Sequence, residues 1–297
     1  MNGTRLRVGV AVVLALVLVT GVSVTGAGAR SGRVPASSKQ VPQALDVLGV
    51  DVSAYQHGVN WHKALAAGAR FAYIKATEGS TYTSARLKNQ YTGAARVGII
   101  RGAYHFAKPN TSSGVVQATY FIHSLRSLGG GRVDGSTTLP PLLDIEYDPY
   151  AASDGTNSCW GLTPKEMRHW ISQFSDTVIS LTGRVPAIYT TAGWWKTCTG
   201  DTWVFAQNPL YIARFVASRG LGETAGAEPL PAGWSSFTFW QYTDVGTRFA
   251  DITDKSHGSV TARDEDVFAG QLPELRKLAR STFSQTTGLD PVSAKLP

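Results

Sequence analysis

An α/β barrel is the fold this sequence predicts, on three observations. Eight short runs rich in apolar, β-branched or aromatic residues recur along the chain, helical segments separate the first five of them, and 297 residues at 43% hydrophobic content can bury one large core. The runs fall at 48–53, 71–76, 98–106, 139–146, 185–191, 209–214, 237–242 and, more weakly, 260–268. Strands alternating with helices imply parallel pairing, and a parallel sheet of this size closes readily on itself.

The helices are expected at 61–69, 85–96, 113–127 and 164–182. The last is the clearest. Thr163 is placed to cap it, Pro164 suits its first turn, Glu166 completes a capping box and Gly183 ends it. Met167, Trp170, Ile171, Phe174, Val178 and Leu181 then share one apolar face and belong to the core. The three later gaps look poor in helix, so the barrel is expected to be regular in its first half and irregular afterwards. A closing helix is expected at 273–283, and no internal repeat is present.

Residues 1–29 read as an export signal. Arg5 and Arg7 lead, Val8 to Val24 is almost uninterrupted apolar sequence, and Ala27-Gly28-Ala29 is a small-residue cleavage site. A retained anchor is the alternative, because the apolar stretch nears the length that spans a bilayer. Residues 30–45 mix Ser, Pro and charge without periodicity, as linkers do, so the folded domain is expected over 46–283 with a loose tail at 284–297. Cleavage predicts a secreted protein, cell-wall associated or free, with no membrane contact afterwards.

The net charge of +7 fits an anionic partner, yet no Lys/Arg run exceeds two residues, which argues against nucleic acid. Cys159 and Cys198 are the only cysteines, and in an exported chain they are expected to form one disulfide. With no nearby histidine pair they do not make a zinc site. No cofactor is expected, and a monomer is.

Barrel enzymes carry their chemistry at the strand C-termini. Placing polar groups there collects Asp51, Glu78, Tyr104, His105, Asp144, Glu146, Tyr189, Arg214, Trp240, Gln241 and Asp264 into one mouth. Asp144 and Glu146 follow the apolar run Leu139-Pro140-Pro141-Leu142-Leu143. Two residues apart on an extended strand, they share a face with Cα atoms roughly 6.6 Å apart. Glycosidic bond cleavage needs a proton donor and a second group that stabilises positive charge at the anomeric carbon, and this pair can supply both. Glu146 is the candidate acid, its pKa raised by Asp144, Asp51 and desolvation. Glu78 is either a substrate contact or a supporting residue paired with Lys75 or Arg101. Tyr55, Tyr104, Phe106, Trp194, Trp195 and Trp240 are candidates to stack on sugar faces, two or three of them in contact with substrate.

Five ordered blocks then resemble family 25 of the glycoside hydrolases, the N-acetylmuramidase lysozymes. They are Gly49-Val50-Asp51-Val52-Ser53-Ala54-Tyr55-Gln56, Phe71 to Gly79, Gly102 to Ala107, Pro141 to Glu146, and Phe239-Trp240-Gln241-Tyr242. The resemblance spans about 48 to 268. It implies a modified barrel of five strand–helix units followed by three strands, (β/α)5(β)3, and hydrolysis of the β-1,4 bond between N-acetylmuramic acid and N-acetylglucosamine in bacterial peptidoglycan. Glu146 looks like its general acid/base, Asp144 like the group that assists the substrate acetamido, and Asp51 like an electrostatic support. The family's final acid matches Asp264 in Asp264-Glu265-Asp266-Val267-Phe268, where Asp266 replaces Asn, and Asp251 and Asp254 remain alternatives. Two departures, His57 and Ser84, remove no carboxylate. The insert from Asp148 to Gly161 is expected to lie over the site mouth, clamped through Cys159 and Cys198.

Three other readings compete. A chitinase-like substrate-assisted glycosidase would carry an acid where Leu142 stands. A non-catalytic wall-glycan binding module would need the aromatics but not a cluster of buried acids. A carboxylate-bound metal hydrolase is disfavoured because His57 and His105 are not at ligand spacing.

Overall fold

The computed structural model describes residues 47–135, 137–215, 227, 229–253 and 259–282. The signal, linker and tail expected at 1–45 and 284–297 lie outside them. Nine strands form one sheet: β1 (Val47–Val52), β2 (Ala69–Glu78), β3 (Tyr82–Thr83), β4 (Ile100–Phe106), β5 (Leu142–Asp144), β6 (Ala187–Thr190), β7 (Leu210–Ala213), β8 (Phe239–Thr243) and β9 (Glu265–Phe268). Their order is β1-β9-β8-β7-β6-β5-β4-β2-β3, and an added β1–β2 pairing closes eight of them into a barrel. The remaining strand, β3, is a short hairpin extension of β2.

Pairing is parallel from β1 through β2, β4, β5, β6 and β7 to β8, whereas β9 runs antiparallel to both β8 and β1. The reversal has a direct effect on the site. At the mouth, where the other strands present their C-terminal ends, β9 presents its N-terminal end, so the acid delivered there precedes the strand.

The helices are α1 (Trp61–Ala66), α2 (Leu87–Arg96), α3 (Gly114–Ser124), α4 (Ala151–Asp154), α5 (Pro164–Thr182), α6 (Ala192–Thr199) and α7 (Leu272–Ala279). With α6 in place, five strand–helix units precede the last three strands, as the family resemblance implies. The residue pattern missed α6. It has eight residues with Gly193 near its start and two threonines near its end, poor helix formers all. Burial of Trp194, Trp195 and Cys198 supplies what propensity does not. The helix at 164–182 has the expected cap: the Thr163 side chain accepts from the Glu166 amide, Glu166 reaches back to Thr163, and Gly183 ends it at φ 70°.

Strand β5 is shorter than the expected run at 139–146. Pro140 and Pro141 have no amide hydrogen for the ladder, so pairing with β4 starts at Leu142. Apolar side chains separate into two layers. Phe71, Tyr73, Tyr211, Phe239 and Phe268 fill the barrel lumen, and α7 seals its lower end with Leu275 and Ala279. Ala72, Ile74, Leu143, Ile145 and Ile188 face outward against α2, α3 and α5. Arg184, wholly buried, ties the seal in place: its guanidinium donates to the carbonyls of Thr138 (2.8 Å), Leu139, Leu278 and Ser281.

Candidate active site

A cavity of about 350 Å³ opens at the strand C-terminal end of the barrel. Strand β1 brings Asp51, β2 Lys75, β4 Tyr104 and Phe106, the end of β5 Asp144 and Glu146, β6 Tyr189, β7 Tyr211, and β8 Gln241, with Asp264 arriving ahead of β9. The ladder continues past the end of β5, because Ile145 donates to the Tyr189 carbonyl at 3.0 Å and Ala107 to that of Asp144 at 2.9 Å. Backbone held extended in this way aims Asp144 and Glu146 into one space and Ile145 into the outer core.

The acids crowd together with little compensation. Asp51, Asp144, Glu146, Asp244 and Asp264 line the cavity, and Lys75 is the cation facing them among the described lining residues. Burial lifts Glu146 to about 7 against the opposing pull of Lys75. Asp144 is raised well above the usual carboxylate range by burial first and by Glu146 next. The neighbouring charges therefore act on Asp144, and desolvation rather than their repulsion sets Glu146. Asp264 is pushed up to about 8 by burial and by Asp51. Asp51 is raised as well, although Gln241 donates to it at 2.6 Å and Tyr189 in turn donates to Gln241 at 2.8 Å.

The loop after β1 carries Tyr55 to the rim, where it is 69% exposed. Gln90 of α2 pins that loop, donating to the carbonyls of Ser53 (2.9 Å) and Gln56 (2.7 Å).

Several expected contacts lie elsewhere. Trp240 is buried on the outer face of β8 against Ile212 and Val267, because adjacent residues of a strand cannot share a face and Gln241 takes the inner one. Arg214 is exposed beside a second hollow lined by Thr191, Ala213 and Pro229. His105 is also turned outward and fully buried, bridging Thr77 (2.8 Å) and Gln117 (3.0 Å) and stacked on Phe174; burial lowers it to about 4. Glu78 is a supporting residue, bound to Lys75 at 2.8 Å and to the Tyr150 hydroxyl at 2.8 Å, while Arg101 pairs with Asp134. Trp194 and Trp195 lie on the buried face of α6 and not on the cavity wall.

Cys159 and Cys198 form the disulfide, with Cα atoms 5.2 Å apart. The insert flanks the cavity instead of covering it, for none of its residues lines the wall. Trp160 is its anchor, 1% exposed and donating to the Glu146 carbonyl at 2.9 Å. Of the alternatives for the fourth acid, Asp251 lies on an exposed turn away from the cavity wall and Asp254 is outside the described residues. Sequence reasoning missed Tyr147, Phe215 and Asp244, all on the cavity wall. Each stands next to, or just beyond, a residue assigned to a strand end, which is the signal that locates them.

Comparison with known proteins agrees with this geometry. The family model described as glycosyl hydrolases family 25 matches residues 50–250. Lysozyme M1 of Streptomyces globisporus is 42% identical over 238 residues, 80% of this chain and 72% of its own length. An N,O-diacetylmuramidase of Arthroderma benhamiae is 38% identical over 86% of this chain and 97% of its own. The solved structure of a muramidase from Acremonium alcalophilum superposes with a TM-score of 0.66 at 41% identity, covering 79% of this chain and 99% of that one. A closed barrel with acids at its mouth, a family match over most of that barrel and relatives of this similarity lead to one assignment: the chain belongs to family 25 of the glycosyl hydrolases and is a glycoside hydrolase.

Proposed function

We propose that the chain is an exported N-acetylmuramidase that cuts the β-1,4 bond between N-acetylmuramic acid and N-acetylglucosamine in peptidoglycan. The observation that carries this reading is the pair Asp144 and Glu146 lining one sugar-sized cavity, with Glu146 held at about 7. A carboxyl at that value still carries its proton near neutral pH and can give it to the departing glycosidic oxygen. As that bond breaks, the acetamido oxygen of the muramic acid residue closes on the anomeric carbon. The Asp144 carboxylate, 8% exposed, accepts a hydrogen bond from the acetamido N–H and stabilises the cyclic cation. Glu146, now ionised, removes a proton from water, and the water oxygen opens the ring with retained configuration. Asp51 and Asp264 add negative potential where the positive charge grows only to the extent that they are ionised, since burial raises both.

Leu142 on the cavity wall, two residues before Asp144, speaks against the chitinase-like alternative. The disulfide suits an oxidising compartment, which supports export. The test is mass analysis of muropeptides after digestion of purified walls. Reducing muramic acid ends are expected. Reducing glucosamine ends, or release from chitin at a similar rate, would overturn the assignment.

A further inference from the structure

Below the cavity floor lies an acid that the proposed reaction does not use. Asp266 is fully buried on β9, directly across from Gly49 of β1 and Gln241 of β8. Gly49 stands two residues before Asp51 on the same face of β1, and Gln241 donates to Asp51 at 2.6 Å. Asp266 and Asp51 are thus neighbours in the lumen, both flanked by Gln241. Neither carboxyl oxygen of Asp266 has a hydrogen-bond partner of ordinary geometry, and the Tyr211 hydroxyl that faces it has none either. An acid in such a place costs stability, and the Tyr211 phenol facing it offsets only part of that cost.

We propose that Asp266 is a positioning residue for the glycosidase reaction: it and Asp51 hold one proton between them, and that proton decides when Asp51 carries charge. The inference rests on the proposed muramidase reading of the site. The groups facing the pair offer no cation. They are the phenols of Tyr104, Tyr189 and Tyr211, the acids Asp264 and Glu146, and Glu265, which is turned outward to accept from Tyr242 and the Arg248 amide. Lys75 acts on Asp144 and Glu146 instead. Two anions stacked in this lumen would repel with only the neutral donors Gln241 and Tyr211 to relieve them, so losing the first proton makes the second hard to remove. Burial raises both carboxyls, Asp266 repels Asp51, and Asp264 and Glu265 repel Asp266.

Asp266→Asn removes the titrating neighbour and keeps its shape. Asp51 then ionises more easily, so the acidic limb of kcat/KM against pH on purified peptidoglycan moves down by about one pH unit, with activity at the optimum retained. Limbs that coincide, or a uniform loss of activity at every pH, would overturn the proposal, since a purely structural residue has no reason to move a limb. Should Asp266→Asn fail to fold by circular dichroism, Asp266→Leu carries the same expectation. Carbon-13 titration of labelled aspartates in the wild type reads the proton independently of catalysis. An aspartate step above neutral pH that is lost in Asp266→Asn supports the proposal, whereas loss of no such step, or complete ionisation of every aspartate by about pH 6, refutes it. A wild type that releases no reducing ends would sink the muramidase reading and leave that titration to decide Asp266 alone.

Discussion

Glu146 and Asp144 differ by one methylene, yet the proposed reaction gives them opposite duties. Lys75 pulls on both, but Glu146 is raised by burial alone and stops at about 7, whereas Asp144 also absorbs the repulsion of Glu146 and Asp51. Removing the proton donor while keeping its shape, Glu146→Gln, should lower kcat by about 10²- to 10⁴-fold with KM nearly unchanged. Reducing-end assays with circular dichroism as a folding control check this; a variant that cleaves at the wild-type rate would defeat the assignment. The same carboxyl should bend the rate profile. Above about pH 7 the free enzyme loses the proton it must donate, so kcat/KM should fall on that side. At this scale the acids were legible because a two-residue spacing on a strand dictates a shared face. Trp240 was misread for the same reason, since its neighbour Gln241 already held the inner face.

Among the elements, the insert before α5 depends most on a covalent tie. Trp160 and the disulfide hold it beside the strand end that carries Glu146, and Trp194 of α6 donates to the Ser158 carbonyl at 2.8 Å. The bridge closes a span of 39 residues, so replacing both cysteines by alanine should cost about 2–4 kcal/mol in denaturant unfolding. Because Trp160 grips the Glu146 carbonyl, activity should fall before the fold is lost on titration with urea. Coincident loss of activity and structure would show that the clamp serves stability alone. Element by element, the strong signals were caps, period and β-branched runs, which fixed α5 almost to the residue. The short α6 and the hairpin strand β3 had no such signals, because tertiary burial and pairing to β2 hold them in place.

For the whole molecule, the mouth acids set an unusual dependence of stability on pH. A carboxyl raised in the folded state favours folding fully below its unfolded value, near 4, and gives up that advantage as pH rises toward its folded value. Asp264 does so between 3.8 and about 8, and Glu146 between 4.5 and about 7, with Asp51, Asp144 and Asp266 adding to the same trend. His105 works in the other direction: buried neutral, it weakens the fold as pH drops from 6.5 toward about 4. Glu78, lowered by Lys75, and Asp134, lowered by the Thr138 hydroxyl and Arg101, also favour higher pH but are partly exposed and count for less. Five raised acids outweigh them, so Tm should be lower at about pH 8 than at about pH 5 by calorimetry. A Tm that climbs across this interval would mean the cavity acids are ionised in the folded protein. The fold itself was readable because strand and helix periods alternate through the first half. The direction of the final strand was not, since four residues of alternating pattern read alike in both directions.

That reversed strand also sets a timetable. Val47 to Val52 is among the first barrel segments to be synthesised, yet one of its two edges stays open until Glu265 to Phe268 has been made. A chain still emerging, or cut short before that point, already holds Asp51, Asp144 and Glu146 but has a slit in its wall where Asp264 belongs. Closure of the barrel, and with it the complete ring of acids at the mouth, therefore waits for the last of the nine strands.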